Sequence, residues 1–129
     1  MTSTPLIAIV DDDELLGEAT KEFIETVGLA ARAFASAQAF LDSDCVSRTS
    51  CLVVDVQMPG LNGLRFHRRL VSSGRDIPVI FITAFPDERL RARALEAGAI
   101  CYLKKPFDPT RLLTCLRSAI GSWESKPDA

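Results

Sequence analysis

The sequence predicts an α/β domain: a doubly wound parallel sheet of five strands, in the order 2-1-3-4-5, with five helices on its two faces. Three observations carry that expectation. Short apolar bursts alternate with segments of helical period along the whole chain. The central bursts are apolar at consecutive positions, as strands buried on both faces are. Glycines and prolines stand at most of the changeovers. A length of 129 residues suits one domain with its own core, and 47% apolar with 25% charged residues is a globular balance. Right-handed crossovers then make 2-1-3-4-5 the simplest winding.

The elements follow in order. Residues 6–10 form a short buried strand. From Glu14 the period changes: Leu15, Ala19, Phe23 and Val27 recur every four residues with Leu16 and Ile24 beside them, predicting an amphipathic helix ended by Gly28. Residues 29–34, rich in alanine, read as a weaker edge strand. Ser36 before Ala37, Phe40 and Leu41 predicts a short capped helix. Residues 51–54 are the third strand, and 63–71 a helix closed by Ser72, Ser73 and Gly74. Pro78 opens a strand over 79–82. A helix is predicted over 86–97, with Pro86 in its first turn and Gly98 past its end. Residues 100–103 make the last strand. Asp108 and Pro109 start a final helix with Leu112, Leu116, Ile120 and Trp123 on one side. Residues 1–121 are expected to form the domain, and 122–129 a polar tail or the start of a linker.

A net charge of −2 gives no reason to expect nucleic-acid binding by the domain. The clusters Arg65, Arg68, Arg69 and Arg89, Arg91, Arg93 read as solvated helix faces. The four cysteines, Cys45, Cys51, Cys101 and Cys115, lack metal-ligand spacing, and His67 is the sole histidine, which argues against zinc. Cys51, Cys101 and Cys115 are expected as small buried hydrophobes in a reducing compartment. The N-terminal stretch has no basic start, and its apolar run is too short for a signal peptide or membrane span. A cytoplasmic location without a membrane partner is expected.

Ligands of open α/β sheets bind beyond the carboxyl ends of the strands. Those ends supply Asp11, Asp12 and Asp13 after the first strand and Asp55 after the third. Thr83 ends the fourth strand, and Lys104 and Lys105 precede Pro106 after the fifth. A set of carboxylates with one hydroxyl and one ammonium suits a hard cation beside a phosphoryl group. It lacks a glycine-rich phosphate loop, an activated serine or a histidine. An aspartate can itself attack phosphorus, while metal, lysine and hydroxyl take up the charge of the transferring oxygens. Taken singly, each residue has a plainer role: Asp12 or Asp13 as a helix cap, Asp55 in a turn, Thr83 in a strand, Lys105 in solvent. Their joint placement at successive central strand ends favours the chemical reading.

The stretches "IVDDDELL", "LVVDVQMPGLNG", "FITA" and "YLKKPF" resemble the receiver domain of bacterial response regulators, the phosphoacceptor half of two-component signalling. The resemblance runs from residue 6 to about 121, and it implies the flavodoxin-like receiver fold. By its match to the family pattern, Asp55 would be the phosphorylated nucleophile, with Thr83 and Lys105 contacting the phosphoryl group. Asp11 and Asp12 match the acidic pair that, with Asp55 and the main-chain carbonyl of Gln57, binds Mg2+. Lys105, rather than Lys104, directly precedes the proline, and the bond to Pro106 is typically cis in such domains. Tyr102 matches the aromatic that moves with Thr83. Gln57 and Phe85 fall where water access to the phosphoryl group is influenced. Asn62 replaces the usual aspartate of its loop, where either residue suits the turn.

The resemblance implies a switch rather than an enzyme with a turned-over substrate: it catalyses only its own phosphorylation and dephosphorylation. Its partner would be a sensor histidine kinase or a histidine phosphotransfer protein. A homodimer through the fourth helix, fifth strand and fifth helix is a further expectation, and the controlled element would be a partner or output domain. Three other readings compete. A phosphorylation-independent interaction module would not need the intact acidic pair, Asp55, Thr83 and Lys105. A flavodoxin-like small-molecule binder would want glycine- or hydroxyl-rich strand ends. An aspartate-nucleophile phosphatase would carry a DxD pattern where this chain has "DVQ".

Overall fold

The structure is a computed structural model that describes residues 4–57 and 62–121. Five parallel strands, β1 (Leu6–Val10), β2 (Ala30–Phe34), β3 (Thr49–Asp55), β4 (Val79–Thr83) and β5 (Cys101–Lys104), form one sheet in the order β2-β1-β3-β4-β5. The helices α1 (Glu14–Thr26), α2 (Ala37–Leu41), α3 (Gly63–Ser72), α4 (Glu88–Glu96) and α5 (Pro109–Ile120) alternate with them. The predicted winding is the observed one, with β2 on one edge. A single 3-10 turn, Val46–Arg48, leads into β3.

The sheet separates two cores. Ala8, Val10, Leu52, Val54 and Phe81 face Phe40, Phe66, Leu70 and Ala94 on the side of α2, α3 and α4. Ile7, Ile9, Val53, Ile80 and Ile82 face Ile24, Leu112 and Leu116 of α1 and α5. Side chains alternate along a strand, so consecutive apolar residues feed both cores, which is why β1, β3 and β4 read as unbroken apolar runs. On the α2–α4 side the rings of Phe34, Phe40 and Phe66 meet edge to face, with centroids 5.5 and 5.9 Å apart.

Several expectations need correction. In α1 the buried stripe is Gly17, Thr20 and Ile24, whereas Leu15 is 87% exposed and Ala19 is also exposed. A Cβ built on Gly17 would sit 3.7 Å from that of Ala33, so the helix lies on β2 through its small residues. That contact rotates the Leu15 and Ala19 positions outward. Helix α4 begins two residues later than predicted, because the Asp87 carboxylate caps it by accepting from the Arg89 N–H at 2.8 Å. Pro86 therefore precedes the cap. Strand β5 is displaced by one residue, and Trp123 lies outside the described residues.

The cysteines also divide differently. Cys45 and Cys51 are buried free thiols, and burial pushes the Cys51 thiol up to about 12. Cys101 and Cys115, expected as separate apolar side chains, form a disulfide. Packing α5 on the sheet brings their Cα atoms to 6.1 Å, within bonding range, across 14 positions of sequence. A strand residue and a helix residue at that spacing carry no local sign of pairing.

Gly63 positions the start of α3. Its N–H donates to the Val56 carbonyl at 2.9 Å. An added Cβ would come within 2.7 Å of the Asp55 carbonyl oxygen and 3.0 Å of the Val56 Cα. These are backbone atoms that cannot swing aside. Gly63→Ala is therefore expected to destabilise the fold by about 1–3 kcal/mol, the cost of overpacking. Urea unfolding of the two proteins measures it, and an unchanged midpoint would contradict the close approach.

Candidate functional site

The two-residue period of the sheet assembles the site. Ile7, Ile9 and then Asp11 occupy alternate positions at the end of β1, as do Cys51, Val53 and Asp55 in β3 and Cys101, Leu103 and Lys105 at the end of β5. All three polar residues thus continue rows that face α1 and α5. The strands are in parallel register, Val10 beside Val54 and Asp55 beside Ile82, so their ends arrive together. Past β5 the Lys105 N–H donates to the Thr83 carbonyl at 2.7 Å, which carries the lysine to the mouth of β4. The Lys105–Pro106 peptide is cis, as the resemblance implied.

The Lys105 ammonium bridges two carboxylates. It lies 2.9 Å from Asp11 Oδ2 and donates to Asp55 Oδ2 at 3.0 Å. Asp11 is only 2% exposed, and burial pushes its carboxyl above the ordinary range. The Asp13 N–H and Lys105 pull the other way, and Asp55 adds to the rise. For Lys105, burial alone would depress the ammonium, but Asp11 and Asp55 outweigh it and hold the group above its ordinary value. The contact with Asp11 Oδ2 is an ion pair by distance without the alignment of a hydrogen bond, so that buried oxygen keeps an unfilled acceptor direction.

The other oxygens are oriented by main-chain donors. Asp11 Oδ1 accepts from Asp13 N–H at 2.9 Å, and Asp55 Oδ1 accepts from Gln57 N–H at 3.0 Å. Asp13 itself caps α1, accepting from Leu16 N–H at 3.1 Å. This settles which of the three consecutive aspartates serves as the cap. Asp11, Asp12 and Asp55 each offer a carboxylate oxygen, all within 4.8 Å of one another, with Asp12 at the solvent side. An acidic triad with a buried, unfilled oxygen fits a hard divalent cation.

Thr83, fully buried at the end of β4, stands beside this group on the other face of the sheet. Its hydroxyl donates to Gln57 Oε1 at 3.1 Å and accepts from the Phe85 N–H at 3.1 Å. The Phe85 ring is 72% exposed. Tyr102 packs against the α2–α4 core, and burial raises its hydroxyl's pKa. That hydroxyl is buried without a hydrogen bond. Lys104 is exposed, so of the two lysines it is Lys105 that reaches the carboxylates. Asn62 caps α3 by accepting from the Arg65 N–H at 2.9 Å, which an aspartate would do equally. Residues 58–61 of the "MPGLNG" loop lie outside the described residues.

Two contributions escaped the sequence reading. Gly63 abuts the carbonyl of Asp55, and the only hint is a poor helix former at the first helical position. The Gln57 side chain holds the Thr83 hydroxyl across 26 positions of sequence, and nothing local announces that contact.

A doubly wound sheet whose neighbouring strand ends bring together three carboxylates, a buried threonine and a bridging ammonium defines a narrow class of α/β domain. The chain belongs to the response regulator receiver domain family, whose pattern matches residues 7–117. It is 39% identical over 115 residues to the response regulator protein TmoT of Ectopseudomonas mendocina, covering 89% of this chain and 52% of that one. A response regulator receiver protein from Burkholderia phymatum shares 41% identity, with a TM-score of 0.78 over 92% of this chain and 96% of that one. The crystal structure of FixJ-N superposes with a TM-score of 0.82 at 28% identity, covering 97% and 100% of the two chains. The chain spans about half the length of the curated relatives it matches.

The metal fit has a direct check. Adding Mg2+ at 100 times its dissociation constant should stabilise the wild type by about 2.7 kcal/mol, seen as a rise in unfolding temperature. Asp12→Asn, at an exposed position, should lose most of that gain. An equal rise in both proteins would contradict the triad as the binding site.

Proposed function

We propose that this chain is the phosphoacceptor of a two-component pathway and that Asp55 is the residue phosphorylated. The observation that carries the reading is the Asp55 carboxylate, buried at a strand end and held 3.0 Å from the Lys105 ammonium. A phosphohistidine on a sensor kinase or phosphotransfer protein is the donor. An Asp55 oxygen attacks phosphorus, an acyl–phosphate bond forms, the nitrogen–phosphorus bond breaks, and the imidazole leaves with the bonding pair. Asp11, Asp12, Asp55 and the Gln57 carbonyl would hold Mg2+, which offsets negative charge on the transferring group when bound. Lys105 takes a phosphoryl oxygen as Asp55 gives up its negative charge to the new bond.

The new oxygens then compete for the Thr83 hydroxyl, Tyr102 follows, and the surface of α4, β5 and α5 changes. Arg89, Arg91 and Arg93 are exposed on α4, which supports this face as the place of homodimer or partner contacts. The domain is not an enzyme with an external substrate. Residues 1–121 are the receiver, with 122–129 as tail or linker, and the greater length of the relatives supports an output domain as the controlled element. No helix among the described residues is long and apolar enough to cross a membrane. We place the domain in the cytoplasm on its signalling role, since the disulfide removes the argument from free thiols. The charge balance supports no nucleic-acid contact by this domain.

Phe85, exposed at the mouth, hinders the water that attacks the phosphoryl group in line, with Gln57 beside it. Incubation with acetyl phosphate or phosphoramidate and Mg2+ should add about 80 Da to the intact mass, one phosphoryl group. Asp55→Asn and omission of metal should each abolish the gain, and Phe85→Glu should shorten the life of the modified form severalfold. No gain in wild type with either donor would favour a phosphorylation-independent module. A lifetime unchanged by Phe85→Glu would remove that residue from hydrolysis control.

A further inference from the structure

A hydroxyl has one proton to donate. In Thr83 that proton is already committed: Phe85 N–H occupies a lone pair of Oγ1 at 3.1 Å, and the O–H donates to Gln57 Oε1 at 3.1 Å. Gln57 is also the residue whose N–H orients Asp55 Oδ1 at 3.0 Å. One residue therefore holds both the carboxylate and the hydroxyl that must approach each other when Asp55 is modified.

We infer that the Gln57 side chain is a latch on the Thr83 hydroxyl, setting how readily the unmodified domain reaches its switched conformation. This deepens, and rests on, the reading of Asp55 as phosphoacceptor. A group on Asp55 draws Thr83 only by outcompeting an acceptor already in place. The latched fraction thus weakens the apparent affinity of Asp55 for any phosphoryl-like ligand by mass action. The side chain has somewhere to go on release. Gln57 borders an open cleft of about 470 Å3, lined also by Val56, Asn62, Leu64 and Leu90. Gln57 is exposed, so shortening or replacing its side chain leaves no hole in either core. It acts through Thr83 as a positioning residue and contributes no bond to the reacting phosphorus.

The test uses beryllofluoride, which mimics a phosphoryl group on a carboxylate and is not hydrolysed, so effects on hydrolysis do not enter. Its affinity in the presence of Mg2+ is measured by titration for wild type, Gln57→Leu, Thr83→Ala and the double variant. Gln57→Leu should bind about fivefold tighter, the equilibrium equivalent of one ordinary hydrogen bond released from competition. In the Thr83→Ala background the same replacement should change affinity less than about twofold, because the latch has nothing to hold. Equal affinity of wild type and Gln57→Leu overturns the latch. So does a fivefold gain that persists without the threonine, which would mark a direct effect of Gln57 on the ligand. If wild type with Mg2+ binds no beryllofluoride, the phosphoacceptor reading itself fails and takes the latch with it.

Discussion

The whole site hangs on one ammonium shared by two buried carboxylates. Asp11 and Asp55 stand at the ends of adjacent strands, deep enough that their charges are poorly solvated. Lys105 lies within 3.0 Å of both. Removing it would strand two like charges at a water-poor sheet end, a loss of about 3–5 kcal/mol by the usual cost of breaking a buried pair. The pair is compensated rather than quenched. Burial still raises the Asp11 pKa, and one of its oxygens keeps an unfilled acceptor direction. An arrangement left short of positive charge is one that could hold a cation.

The sheet provides that arrangement through arithmetic of period two. The rows that bury Ile7 and Ile9, Cys51 and Val53, and Leu103 run on into Asp11, Asp55 and Lys105. A one-residue slip of any central strand would turn its polar terminus to the opposite face. Thr83 follows Val79 and Phe81 on the face of α3 and α4. The ionic group and the hydroxyl therefore lie on different sides of the sheet, and Gln57 is the link between them. Its N–H touches Asp55 and its amide oxygen touches Thr83. These contacts join Asp55 to the face on which α3 and α4 pack.

Much of this was legible in the sequence, for definite reasons. Continuous apolar runs located β1, β3 and β4. The rule that open α/β sheets bind at their carboxyl ends gathered Asp11, Asp12, Asp13, Asp55, Thr83, Lys104 and Lys105, from which the family resemblance picked out Asp11, Asp12, Asp55, Thr83 and Lys105. The helix caps Ser36 and Asp108 were visible because a short polar residue before a helical period does one job. Facing was less legible. Leu15 has the spacing of a core residue, yet Gly17 lets α1 lie close to β2 and turns Leu15 out. The Cys101–Cys115 bond, the approach of Gly63 to Asp55 and the Gln57–Thr83 bond depend on how elements meet in space. No periodicity records such meetings.

The central claim is that the buried charge at position 55 is the one that becomes an acyl phosphate. Borohydride cleaves an acyl phosphate and reduces the carboxyl to an alcohol, so a phosphorylated aspartate becomes homoserine at its own position. Peptide mass spectrometry after acetyl phosphate, Mg2+ and borohydride would then read the site directly. The account predicts homoserine at residue 55 and aspartate retained at residues 11, 12 and 13. Homoserine at any of those three, with Asp55 intact, would contradict it.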